Sequence, residues 1–139
     1  MGYAVGITLA LIVSFFARAT GLDRDRAFYP TVMIVIALYY VLFAVIGGSR
    51  EALVVDSIAM AAFVLVATIG FRVNLWLVVA CLAAHGVLDA FHGLVVANPG
   101  VPEWWPAFCL AYDVVAAGFL AWLLLRSKLA ARSAEHKPR

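Results

Sequence analysis

The chain has 139 residues, of which 66% are apolar and 13% are charged, and its mean hydropathy is +1.03. Soluble domains are typically about 45–50% apolar and about 25% charged, so this composition excludes an ordinary soluble domain and indicates one integral membrane domain. The net charge of +2 gives no nucleic-acid-binding surface, and no nucleic-acid partner is expected.

Five apolar segments predict five membrane-spanning helices, since about 20 apolar residues cross a hydrocarbon core of about 30 Å. The first segment has no basic residues before it and no clear small-residue cleavage site after it, so we expect a retained helix rather than a signal peptide. The predicted helices cover residues 2–17, 29–46, 52–71, 75–96 and 107–125. We therefore predict an all-α bundle over residues 1–126, followed by a polar cytoplasmic tail over 127–139.

The distribution of lysine and arginine predicts the orientation of this bundle. With the N-terminus outside, nine of the ten basic residues lie in cytoplasmic segments and Arg50 alone lies outside. The pair Trp104-Trp105 then lies at the outer interface, where indole rings are enriched. The short chain and compact loops favour a multi-pass protein of a bacterial inner membrane.

The fourth predicted helix carries three ionisable residues, His85, Asp89 and His92, in an otherwise apolar stretch. A charged group near the bilayer centre costs about 2.5–3.5 kcal/mol even on the gentlest scale. The i, i+4, i+7 spacing places all three on one helix face. At about 1.5 Å per residue, these residues, Asp56 of the third helix and Asp113 of the fifth helix fall in the outer half of the bilayer. We therefore predict a buried polar site between these helices.

Histidine and aspartate in this arrangement offer nitrogen and oxygen ligands for a divalent metal such as zinc or iron. The candidate metal ligands are His85, Asp89, His92, Asp113 and Asp56. Without a metal, the same groups can act as acid and base, and the candidate catalytic residues are Asp89, His92, Asp113 and Tyr112. Packing alone is the alternative role for Tyr112, and helix capping is the alternative for Asp56. The H-E-x-x-H zinc motif is absent from the sequence.

The His85-x-x-x-Asp89 element is similar to motifs on membrane helices of sterol-isomerase-like proteins and of ceramidase-like zinc hydrolases. This resemblance covers a handful of residues, and the rest of either pattern does not occur in the chain. It implies no function beyond the chemistry of the residues themselves.

Three functions fit a buried polar site of this kind. The first is a membrane enzyme, a metal-dependent or acid–base hydrolase or isomerase, that acts on a lipid-like substrate reaching the site past Trp104-Trp105. The second is metal-ion or proton transport. A homo-oligomer would have to complete that path, because the inner halves of the helices offer few polar groups. The third is an accessory subunit whose polar residues fix helix packing, each contact contributing about 0.6 kcal/mol.

The remaining side chains with chemical potential are assigned to ordinary roles. Cys81 is expected about 22 Å below the outer surface and Cys109 about 5 Å below it. A disulfide needs Cα atoms within about 7 Å, so we predict two free thiols. Tyr39 and Tyr40 are expected to pack in the core.

Overall fold

The computed structural model describes residues 1–24 and 26–135, with side chains through Ser127. These residues form five helices, and the described ranges contain no strand. The helices are α1 (Gly2–Thr20), α2 (Phe28–Ile46), α3 (Arg50–Arg72), α4 (Trp76–Val95) and α5 (Trp105–Glu135). All five are long and apolar enough to cross a membrane. The prediction of an all-α protein with five such helices is confirmed.

The helix boundaries agree with the predicted ones to within three residues, except at the end of α5. Helix α1 continues to Thr20 and ends where Gly21 adopts a left-handed conformation with φ of +81°. Helix α3 begins after Ser49, whose hydroxyl accepts a hydrogen bond from the amide of Ala52 at 3.2 Å. Helix α5 continues to Glu135, so the predicted tail is helical over residues 127–135. Residues 136–139 lie outside the described residues.

Helix α1 packs mainly against α5, and the two helices run parallel. The buried face of α1 consists of small residues, Gly6, Ala10, Ser14 and Ala17. Small residues let the backbones of membrane helices approach closely, and a Cβ atom at Gly6 would collide with the carbonyl of Phe108 on α5. Helix α4 lies between α5 and α3, and α3 packs against α2. Helix α1 therefore stands apart from most of α2.

The loop between α4 and α5 is held against the end of α2. A Cβ atom at Gly100 would collide with the backbone carbonyl of Phe43, so only glycine permits this close approach. The contact places the side chain of Asn98 in the same loop beside the backbone carbonyl of Tyr40 on α2 and beside Asp56 on α3. The loop thus closes one end of the bundle.

The bundle buries polar side chains and exposes large apolar ones. Ile12, Phe15 and Phe16 on α1 are each more than half exposed, as is Leu94 on α4. The buried polar and charged residues are Ser14, Asp56, His85, Asp89, His92 and Asp113. An apolar exterior around polar side chains is the arrangement expected of a membrane bundle, in which polar groups face the interior.

Candidate metal centre

The five ionisable residues predicted to form a site are all buried. His85, Asp89 and His92 share one face of α4 and are 1%, 2% and 4% exposed, while Asp56 on α3 and Asp113 on α5 are 3% and 0% exposed. The structure divides these five residues into two groups. One group surrounds His85, and the other surrounds His92.

The first group, which we call the four-residue cluster, consists of His85 and Asp89 from α4 with Cys109 and Asp113 from α5. The Nδ1 atom of His85 lies 2.8 Å from Oδ2 of Asp113 and 3.4 Å from Oδ2 of Asp89. One ligand atom from each of the four residues lies within 4.8 Å of the other three. Tetrahedral ligands at about 2.0–2.3 Å from one zinc ion lie about 3.3–3.8 Å apart, so the cluster is somewhat wider than an occupied zinc site, and small side-chain movements would bring its atoms to ligand distances.

Two carboxylate oxygens in this cluster lack hydrogen-bond partners among the described residues, Oδ2 of Asp89 and Oδ1 of Asp113. When both carboxylates are ionised, the cluster carries a net negative charge even with His85 protonated. An uncompensated charge in an apolar interior is costly, and buried charges are normally paired or bound to metals. The cluster therefore has both the free ligand atoms and the charge that a divalent cation would satisfy.

The second group, the His92–Asp56 pair, is fully bonded. Nε2 of His92 lies 2.8 Å from Oδ1 of Asp56. The side-chain amide of Asn98 donates to the other carboxylate oxygen of Asp56 at 2.8 Å and to the backbone carbonyl of Tyr40 at 3.1 Å. Each carboxylate oxygen of Asp56 thus has a partner. This pair connects α3, α4 and the loop before α5 and thereby holds these elements together, so we also call it the brace.

Tyr40 on α2 joins the two groups. Its hydroxyl donates to Oδ1 of Asp89 at 2.7 Å. Its ring stacks on the imidazole of His92, with the ring centroids 3.9 Å apart and the planes 22° from parallel. Tyr40 is buried as predicted, but its hydroxyl takes part in the polar network. It holds one oxygen of Asp89 and leaves the other free.

Helix α3 supplies an apolar wall beside His85. The ring of Phe63 meets the imidazole edge to face, with centroids 4.9 Å apart. The thiol of Cys81 donates to the backbone carbonyl of Phe63 at 3.6 Å, so Cys81 belongs to this wall rather than to the cluster. Both cysteines are free thiols, as predicted.

A largely apolar groove of about 540 Å³ lies between α1, α2 and α5. Cys109 of the four-residue cluster forms part of its wall, together with Tyr112 and Trp105. No hydrogen bond joins Tyr112 to the cluster among the described residues. Of the two tryptophans predicted to line the substrate entry, Trp105 lies in the groove wall and Trp104 is 54% exposed. The other lining residues are Leu9, Val13, Leu22, Ala27, Phe28, Thr31, Val32, Val35, Ile36, Tyr39 and Phe108.

Sequence reasoning missed three residues of the polar network, Cys109, Tyr40 and Asn98. Cys109 precedes Asp113 by four residues, and this i, i+4 spacing on one helix face is a signal that could have found it. Tyr40 and Asn98 carry no comparable spacing signal, because their partners are distant in sequence.

Comparison with protein-family models, with curated proteins and with solved structures finds no match to this chain. Its function is therefore inferred from the chemistry of the site.

Proposed function

We propose that this protein is a membrane enzyme that binds one divalent metal at the four-residue cluster and acts on a lipid-like substrate. One observation carries the proposal. Four buried side chains of metal-binding type bring a ligand atom each within 4.8 Å of one another, and two of their carboxylate oxygens have no partner among the described residues. Intramembrane ionisable residues are expensive and are functional candidates by default.

The ligand set favours zinc over iron. Zinc commonly binds cysteine sulfur, histidine nitrogen and carboxylate oxygen, and the cluster offers all three. Non-haem iron oxygenases use two histidines and one carboxylate, but this cluster contains one histidine. His92, the second histidine predicted as a ligand, is engaged with Asp56.

The residues around the metal would have two roles, metal binding and proton transfer. A bound zinc ion supplies Lewis acidity, which activates water or polarises a carbonyl group. His85, Cys109 and Asp113 would hold the ion. Asp89, with one oxygen fixed by Tyr40 and the other unpartnered, is suited to accept a proton from water or substrate. Hydrolysis and isomerisation both use this arrangement.

The groove is the proposed binding site for the substrate chain. Along α2 it extends from Phe28 to Tyr39, which is roughly 16 Å at the helical rise. This length is close to half of a hydrocarbon core of about 30 Å, so the groove fits one hydrocarbon chain. Because Cys109 forms part of the wall, a chain in the groove would lie beside the metal ligands.

The proposed orientation keeps the N-terminus outside and the C-terminus in the cytoplasm of a bacterial cell, by the positive-inside rule. Asp113 lies eight residues into α5 and His85 lies ten residues before the end of α4, so both would be about 12–15 Å below the outer surface. The four-residue cluster would then occupy the outer half of the bilayer of the inner membrane.

A metal-ion or proton carrier is the second candidate function. A series of contacts from Asn98 to Asp89 favours it. Hydrogen bonds join Asn98 to Asp56, Asp56 to His92 and Tyr40 to Asp89, and the ring of Tyr40 stacks on His92. On the other side of the cluster, α4 and α5 bury the apolar side chains of Val78, Leu82 and Leu120, and the buried polar residues there are Ser14 and Tyr29. No hydrogen bond among the described residues joins these two residues to the cluster, which favours a one-sided site over a channel through one chain.

Metal content tests the proposal directly. The purified protein should contain about one zinc per chain by inductively coupled plasma mass spectrometry. Asp113→Asn should reduce this content to near zero, while Asp56→Asn, a matched change outside the cluster, should leave it unchanged. A folded protein that holds no metal, even after zinc is added, would overturn the proposal, as would equal loss in both variants.

Two further measurements separate the enzyme from the carrier. Lipid vesicles containing the zinc-loaded protein should change in lipid composition by mass spectrometry, and removal of zinc should abolish that change. Vesicles loaded with zinc- or pH-sensitive dyes should show no flux above that of protein-free vesicles. Flux without lipid turnover would favour the carrier.

A further inference from the structure

A second cavity, of about 670 Å³, lies at the opposite end of the bundle from the α4–α5 loop. It is formed by the end of α1, the α1–α2 loop, the start of α4 and the end of α5. Arg126, on its α5 wall, is thirteen residues beyond Asp113, or about 20 Å along the helix. The lining residues are Arg18, Asp23, Arg24, Arg26, Leu75, Leu120, Trp122, Leu123, Leu124, Arg126 and Ser127. We call this the arginine cavity.

Contacts with the protein position the arginines of this cavity. Arg18 forms an ion pair of 3.6 Å with Asp23, and the Nη2 atom of Arg26 donates to the backbone carbonyl of Phe71 at 3.2 Å. The guanidinium of Arg126 lies over the ring of Trp122, 4.6 Å from its centroid. Side chains that are already positioned lose less conformational entropy when a ligand binds.

The charge of this lining is unbalanced. Among the described residues, four arginines and one aspartate line the cavity. Asp25, between Arg24 and Arg26 in the sequence, lies outside the described residues, and with it counted the arginines still outnumber the aspartates by four to two. The side chain of Asp23 is 2% exposed and interacts with Arg18. The remaining three guanidinium groups have no carboxylate partner among the described residues. Guanidinium groups bind phosphate through two parallel hydrogen bonds, so the cavity has the charge and the donors to bind a phosphate group.

The wall below the arginines is apolar. Leu120, Leu123 and Leu124 on α5 and Leu75 at the start of α4 contribute to it. A free inorganic anion would satisfy the arginines but would gain nothing from these side chains. The combination of a cationic rim and an apolar wall matches an anionic amphiphile at the edge of a bilayer. Basic pockets between transmembrane helices bind the headgroups of anionic lipids in this way.

Orientation in the membrane does not by itself explain this arrangement. The positive-inside rule requires basic residues near the helix ends but does not require them to surround one cavity. Here they converge from the end of α1, the following loop and the end of α5. We propose that the arginine cavity binds the phosphodiester headgroup of an anionic phospholipid, with the first carbons of its chains against the leucine wall.

Native mass spectrometry of the full chain in detergent, titrated with phosphatidylglycerol or phosphatidylcholine, tests this proposal. We expect phosphatidylglycerol to bind at least about tenfold more tightly than the zwitterionic lipid. The double variant Arg24→Gln/Arg126→Gln should lose this preference. Arg50→Gln, an exposed arginine at the other end of the bundle, is the matched control and should keep it.

Three results with the wild type and the glutamine variants would overturn the proposal. They are equal binding of both lipids to the wild type, an unchanged preference in the double variant, and an equal loss of preference in Arg50→Gln. Inorganic phosphate or glycerol phosphate should compete only weakly with the lipid, and complete displacement at equal concentration would identify a free-anion site instead. If the glutamine variant does not fold, Arg24→Lys/Arg126→Lys keeps the charge without the bidentate geometry. This lysine variant should bind phosphatidylglycerol severalfold more weakly than the wild type does. Unchanged binding in the lysine variant would contradict a bidentate contact between the arginines and the phosphate.

Discussion

The two polar groups on α4 are equally buried but differ in their bonding. The His92–Asp56 pair has a partner for each carboxylate oxygen of Asp56. The four-residue cluster leaves one oxygen of Asp89 and one of Asp113 without partners among the described residues. Both groups therefore bury a histidine bonded to an aspartate, and unsatisfied bonding capacity separates the candidate ligand site from the structural pair.

This difference has a physical meaning in a membrane. A polar group in an apolar surrounding must find partners within the protein, because no bulk water is there to supply them. The His92–Asp56 pair meets this requirement with its own side chains and Asn98. The cluster around His85 leaves two carboxylate oxygens without hydrogen-bond partners among the described residues, and a bound cation would satisfy both. Tyr40 contacts both groups and thereby fixes the cluster to the brace.

Removing one partner of the brace should have the largest effect on stability. His92→Ala leaves the carboxylate of Asp56 buried without its histidine, which should reduce the free energy of unfolding by about 3–5 kcal/mol. Denaturant unfolding in detergent measures the loss. Zinc content in the folded fraction should stay near one per chain, whereas His85→Ala should lose the metal.

The double variant Asp56→Asn/His92→Ala is the control for that experiment. Replacing the carboxylate by an amide removes the buried charge, so part of the lost stability should return. A double variant less stable than His92→Ala would show that the carboxylate is not the source of the penalty.

The two cysteines offer a matched test of the cluster. Cys109→Ser replaces a proposed zinc ligand by a hydroxyl and should weaken zinc binding by about 100-fold, measured by competition with a chelator. Cys81→Ser, in the wall beside His85, should leave zinc affinity within about twofold, because its thiol contacts the backbone of Phe63. Equal effects of the two changes would argue against Cys109 as a ligand.

The two neighbouring tyrosines test the connection between the groups. Tyr40→Phe keeps the ring that stacks on His92 but removes the hydrogen bond to Asp89. Asp89 lies 3.4 Å from the proposed ligand His85, and loss of an outer contact of this kind typically weakens metal binding by about 10–100-fold. Because Tyr40 would act through Asp89 rather than on a ligand, we expect the low end of this range, about tenfold. Tyr39→Phe is the control and should have no effect on affinity. Calorimetric titration with zinc measures the affinity of both variants. A wild-type affinity in Tyr40→Phe would show that Tyr40 does not couple the His92–Asp56 pair to the four-residue cluster.

The smallest effect is expected at Asn98. Asn98→Ala removes the amide that donates to Asp56 and to the backbone of Tyr40, and the free energy of unfolding should fall by about 1 kcal/mol because the site is only partly buried. Zinc content should not change. A loss of zinc without a loss of stability would contradict the assignment of Asn98 to the brace.

The fold could be predicted from the sequence because each helix carries its own signal. The apolar runs determine the number and positions of the helices, and the breakers between them determine where they end. The end of α5 is the exception. Most of its residues after Leu125 are polar, so the apolar segment ends there, whereas the helix continues to Glu135. Hydropathy locates the apolar core of a membrane helix better than its extension beyond the core.

The site was predicted in part, for a geometric reason. Helix periodicity placed His85, Asp89 and His92 on one face, and depth placed Asp56 and Asp113 near them. Depth gives no information on which side of a helix a residue faces. His85 and His92 are also two helical turns apart on α4, about 10 Å along the axis, and they bond to carboxylates of different helices, Asp113 on α5 and Asp56 on α3, so they belong to different groups. Tyr40 entered the network through a contact between α2 and α4 that no local pattern records.

The packing of α1 against α5 has a consequence for biosynthesis. Ribosomes deliver helices to the membrane in chain order, so α1 enters before the other four helices and its main partner α5 enters after them. Helices α2, α3 and α4 contact one another and can assemble while α1 is still surrounded by lipid. The groove wall formed by α1 and α5 therefore closes only after Tyr112, the lining residue farthest along α5, has entered the membrane, and until then the groove side of α1 is open to lipid.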